Sequence, residues 1–105
     1  ISHVMPAVTE ISSLMVEGAG EILHLIRSLR NMSNQKEIRD RIQRVHTLEN
    51  KADSIYHTAL AQIFEDPQDA IETIKCKELL NRIEEATDRI ELVAKVVGST
   101  VMRNA

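Results

Sequence analysis

A chain of 105 residues, 43% hydrophobic and 28% charged, is the size of one small domain and apolar enough to fold, which argues against disorder. Its formal charge of −3, with Lys and Arg scattered, argues against a nucleic-acid module, because neutralising many phosphates requires a basic surface. One Tyr, one Phe and no Trp, with only three Gly and two Pro, favour long helices over a sheet.

The first helix is predicted from Val8, Ile11, Met15, Gly18, Ile22, Leu25 and Leu29, which recur at alternating steps of three and four and so line one face. Pro6 suits its first turn, where a missing N–H costs nothing, or else marks a kink. Asn31, Ser33 and Asn34 mark a short polar loop. The second stripe is Ile38, Ile42, Val45, Glu49, Ala52, Tyr56, Ala59 and Ile63, an unbroken heptad-like register with a glutamate, Glu49, at a core position. Asp66, Pro67 and Asp69 then read as N-cap, first helical residue and capping-box acid of a third helix. Its stripe runs Cys76, Leu80, Ile83, Thr87, Ile90, Ala94, Val97 and Val101, widened by Leu79 and Val93. Short loops force antiparallel neighbours, so the expected fold is all-α: one domain over residues 1–105, an antiparallel up-down-up three-helix bundle.

Two motifs stand out on these stripes. "LENKAD" and "IEEATD" each place one carboxylate four residues before another, Glu49 before Asp53 and Glu84 before Asp88. Like charges at that spacing cost a helix a few tenths of a kcal/mol. With the hairpin centred on Asp66 and Pro67, Glu49 is expected level with Glu84, and Asp53 and Asp88 within about one turn of both. Across the first loop, Glu17 comes near the height of Glu49, with Glu21 and His24 further along the same helix. Acids beside a seam are ordinarily solvated or paired with Lys and Arg, and Arg44, Lys51, Arg82 and Arg89 are available. Converging, partly desolvated carboxylates instead take up protons, recruit cations or separate. Oxygen-rich sets suit calcium, magnesium, manganese, iron or zinc.

The segment from His46 to Val101 resembles the C-terminal half of the PhoU-like proteins associated with Pit-type phosphate transporters. "LENKAD" and "IEEATD" are both instances of that family's E(D)xxxD metal motif, accompanied by "AQIFED" and "IKCKELL". The resemblance implies a duplicated fold of two three-helix bundles, of which this chain carries one. It also implies iron or zinc clusters held by Glu49, Asp53, Glu84 and Asp88, and a regulatory or accessory role in phosphate uptake. The implied partner is a Pit-type transporter or an associated signalling protein. A single bundle would expose the surface that normally meets its other half, with Leu14, Leu23, Leu79 and Val93 as candidates, so a homo-oligomer is expected.

The remaining candidates carry less. Glu21 and His24 reproduce a Glu-x-x-His spacing, but di-iron bundles need two such motifs and this chain has one. His57, one turn after Asp53, either extends the metal site or is a surface His bonded to its neighbour. His46 and His3 have no supporting partner in the sequence, and Cys76 between Lys75 and Lys77 reads as a small buried hydrophobe. No nucleophilic pattern or Gly-rich phosphate loop occurs, so a non-enzyme is expected. A carboxylate-bridged metalloenzyme and a plain helical interaction module without metal are the alternatives. With a lone Cys, no signal-peptide pattern and no apolar run approaching 18 residues, the chain reads as cytoplasmic without a membrane span, reaching the inner membrane only through a transporter. It begins at Ile1 rather than Met, as a piece of a longer protein does.

Overall fold

The computed structural model describes residues 4–28, 35–65 and 70–103. They form three α-helices: α1 (Met5–Ser28), α2 (Gln35–Glu65) and α3 (Ala70–Arg103). Each packs against both others, giving a rod of 56 × 16 × 15 Å. No strand occurs among the described residues. Pro6 occupies the first turn of α1, where the Val8 amide already donates to the Val4 carbonyl at 2.9 Å. The expected loop at Asn31–Asn34 and the caps at Asp66–Asp69 lie outside the described residues, as does Leu29.

The up-down-up order is visible in the core. Val4, Ala59, Ile63, Cys76 and Leu80 share a cluster at one end, and Leu25, Ile38 and Val101 share one at the other. Thus α1 and α3 run in one direction and α2 in the opposite one. All of the predicted stripe on α2 is buried or half-buried, Glu49 included, and so is the stripe on α3. Cys76 is fully buried, as a small hydrophobe should be.

Between the end clusters a third cluster of Ile11, Leu14 and Ala52 fills the core, and α2 and α3 contribute small side chains to it. Ala52, Thr87 and Ala94 are buried there, and Gly18 comes so close to α3 that an added Cβ would stand 3.3 Å from Ile90 Cγ2. Small side chains at this height leave room at the α2–α3 seam for polar groups without separating the helices. Two expectations need correction. Leu14 is not part of an exposed patch: it is buried beside Ile11 and Ala52. Val93 does not widen the core, because its place on the flank of α3 leaves it 45% exposed.

Candidate metal centre

The register of α2 against α3 decides which acids meet. The Tyr56 hydroxyl donates to Asn81 Oδ1 at 2.7 Å, His46 Nδ1 lies 3.6 Å from Glu91 Oε2, and Gly98 abuts Ile42. These contacts place Asp53 opposite Glu84 and Glu49 opposite the Asp88–Glu91 segment. The expectation that Glu49 sits level with Glu84 is therefore displaced by about one turn. Core packing, with Ile63 in the Cys76 cluster and Ile38 in the Val101 cluster, sets the register, and the sequence midpoint of the connection does not.

Even so, Glu49, Asp53, Glu84 and Asp88 line one narrow gap, together with Ile11, Ala52, Tyr56 and Thr87. Thr87 turns its hydroxyl back to the Ile83 carbonyl at 2.9 Å and so supplies no donor to the acids. Burial pushes the Glu49 carboxyl up to about 7, helped by a hydrogen bond with Glu91 and by the charges of Glu91, Asp53 and Asp88. Burial also raises Glu84, with a hydrogen bond to Asp88 and the charges of Asp88, Asp53 and Glu85 adding to it. The Tyr56 hydroxyl is raised by burial and by the negative charge of Glu84 and Asp53. All three shifts report surplus negative potential in partly desolvated surroundings.

The gap has no basic side chain in its lining. Arg44 is drawn to Glu21 at 3.6 Å and Arg82 to Glu78 at 3.7 Å. Lys51 and Arg89 make no ion pair among the described residues. Among the described residues Asp53 pairs with His57, whose Nε2 stands 3.5 Å from its Oδ1 on a side chain that is itself two-thirds exposed. The four carboxylates are oxygen donors of the kind hard and borderline cations take, but among the described residues no three of them bring ligand atoms within 4.8 Å of one another, so an ion held by this set would have to draw the side chains together.

The other candidate ligands lie elsewhere. Glu17, Glu21 and His24 line an open cleft of about 470 Å³ between α1 and α2, with Gln43, Arg44, Thr47 and Leu48. Glu21 is held there by Arg41 at 2.9 Å, and Arg41 also grips Glu37 at 3.0 Å. These two carboxylates raise the Arg41 guanidinium above its usual value, Glu21 first. Glu21 is thus balanced by protein cations and does not join the four-carboxylate gap.

Sequence reasoning passed over Glu91 and His46. His46, Glu49 and Glu91 each offer a ligand atom, and these atoms lie within 4.8 Å of one another. A signal did exist: Glu84, Asp88 and Glu91 follow steps of four and three along one face of α3, and His46 stands three residues before Glu49.

No protein-family model, curated protein or solved structure matches this chain. No described helix is long and apolar enough to cross a membrane.

Proposed function

We propose that this chain is a metal-binding regulatory or accessory module of inorganic phosphate transport, without catalytic turnover of its own. The observation that carries the metal is the convergence of Glu49, Asp53, Glu84 and Asp88 on a gap whose lining contains no Lys or Arg. Iron and zinc are the ions the motif resemblance favours. Glu49 and Asp53 would hold the ion from α2, Glu84 and Asp88 from α3, so loading would tie the two helices at mid-height.

The transport role rests on the likeness of residues 46–101 to the PhoU-like proteins, and the partner it names is a Pit-type transporter or an associated signalling protein, met at the inner face of the membrane. Reconstitution with iron or zinc, followed by elemental analysis of the wild type and of Glu49→Gln with Glu84→Gln, tests the metal. Binding of loaded and stripped protein to a purified Pit-type transporter tests the role. Equal binding by both forms contradicts metal-dependent regulation, and no binding by either contradicts the partner.

A helical interaction module without metal is the second reading. It is favoured by the exposed Val16, Leu23 and Ile26 of α1 and Val93 and Val96 of α3, which offer apolar surface to a partner.

A further inference from the structure

We propose a second cation subsite on the α2–α3 seam, formed by His46, Glu49 and Glu91, that takes a borderline divalent transition ion of the zinc type. It shares Glu49 with the four-carboxylate gap but uses a different donor set and needs none of Asp53, Glu84 and Asp88.

The donors come from two helices and are of two kinds. His46 and Glu49 project from the same face of α2, three residues apart, and Glu91 reaches across from α3, with one ligand atom of each inside a 4.8 Å circle. The site also contains an oxygen that the protein leaves unsatisfied. Glu91 Oε2 is buried and has no donor while Glu49 is ionised, and His46 Nδ1 at 3.6 Å is too far to supply one. The other oxygen of the same carboxylate, Oε1, is held by Lys95 at 2.7 Å. Lys95 is largely exposed and tethers Glu91 from the solvent side, so Oε2 is directed inward towards Glu49 and His46.

A buried carboxylate oxygen without a donor is destabilising, more so when charged, and is retained only where something else satisfies it. A proton on Glu49 is one remedy, since its carboxyl then donates to Glu91. A cation between the two is the other, and it serves both carboxylates at once.

The imidazole selects the class of ion. Calcium and magnesium prefer all-oxygen shells, whereas one imidazole with two carboxylates suits zinc and its neighbours and leaves a fourth position for solvent or an anion. His46 is about half exposed, so its removal leaves the core intact.

The test uses zinc binding by calorimetry and cobalt(II) as a spectroscopic probe, on wild type, His46→Ala, Glu91→Gln and a Glu84→Gln/Asp88→Asn double variant. The first two should each weaken zinc at this subsite by about tenfold or more. His46→Ala should also abolish the zinc-induced shift of one imidazole in the nitrogen NMR spectrum. The double variant, which dismantles the four-carboxylate gap, should keep a His46-dependent zinc site and its cobalt absorption. Unchanged zinc affinity and stoichiometry in His46→Ala overturns the subsite whatever happens at the gap. Loss of the imidazole shift in the double variant overturns its independence.

Discussion

Glu49 carries the strongest constraint at the scale of single residues. It occupies a core position of its stripe, yet its neighbours Glu91, Asp53 and Asp88 are all acidic. Its carboxyl is raised from an ordinary 4.5 to about 7. Between those values the folded protein binds a proton that the unfolded chain does not, so stability falls as pH rises through that window. Metal-free protein should therefore melt at a higher temperature near pH 5 than near pH 8, and Glu84, also raised, acts in the same direction. Glu91, which is lowered, opposes this only below the usual carboxylate range. Glu49→Gln should flatten the profile; a flat wild-type profile in the presence of chelator contradicts the shift. Metal-loaded protein should respond in the opposite sense, because acid displaces the ion from its carboxylates. Two glycines give an independent test of packing. Nothing stands within 4 Å of a Cβ added to Gly20, so Gly20→Ala should stabilise α1 by about 0.5–1 kcal/mol. A Cβ on Gly98 would meet the Ile42 side chain inside any normal contact distance, so Gly98→Ala should destabilise by about 1–3 kcal/mol. Thermal melts of the two variants should move in opposite directions.

At the scale of the elements, the helices were legible because their stripes are long and their periodicity is unbroken. Every member of the predicted α2 and α3 stripes lies at the core or its edge. The acidic gap was legible too, since both acid pairs sit on the faces that meet. Their alignment was not. A helix hairpin is positioned by its buried contacts, here the clusters that contain Ile63 with Cys76 and Ile38 with Val101, and a shift of one turn exchanges one acid for the next. That shift brings Glu91 to Glu49 and conceals His46 from any argument based on the turn alone. Glu21 shows the same limit from the other side: its spacing to His24 suggested a ligand, whereas Arg41 and Arg44 from α2 claim it. The Arg41 pair is less than one-fifth exposed on both partners, while Arg44 is largely exposed and adds little. Glu21→Ala should cost about 1–2 kcal/mol by denaturant unfolding, chiefly through the Arg41 contact that fastens α1 to α2. A loss no larger than that of the exposed Glu10→Ala change would show that the contact contributes nothing.

For the whole molecule, a rod 56 Å long and only about 16 Å across has a high ratio of surface to core. Part of that surface is apolar. Val16, Leu23 and Ile26 of α1 and Val93 and Val96 of α3 are between 45% and 73% exposed, on helices whose mutual height is set by Gly18 against Ile90. If the chain corresponds to one bundle of a two-bundle family, a second bundle covers such a face, and in its absence a second copy should. Light scattering at micromolar concentration is expected to give at least twice the mass of one chain, and Val16→Lys with Val96→Lys to restore the monomer. A wild type that is monomeric under those conditions contradicts the second-copy arrangement without touching the metal centre. The claim on which the functional reading depends is that α2 and α3 bring Glu49, Asp53, Glu84 and Asp88 together in order to hold an ion. The most direct measurement is the metal content of protein reconstituted with iron, zinc and manganese and then desalted, with helicity checked by circular dichroism. About one or more ions per wild-type chain are expected, with loss of most of them in the helical Glu49→Gln/Glu84→Gln variant. A wild type that remains metal-free, or a variant loaded to the same level, would contradict that claim.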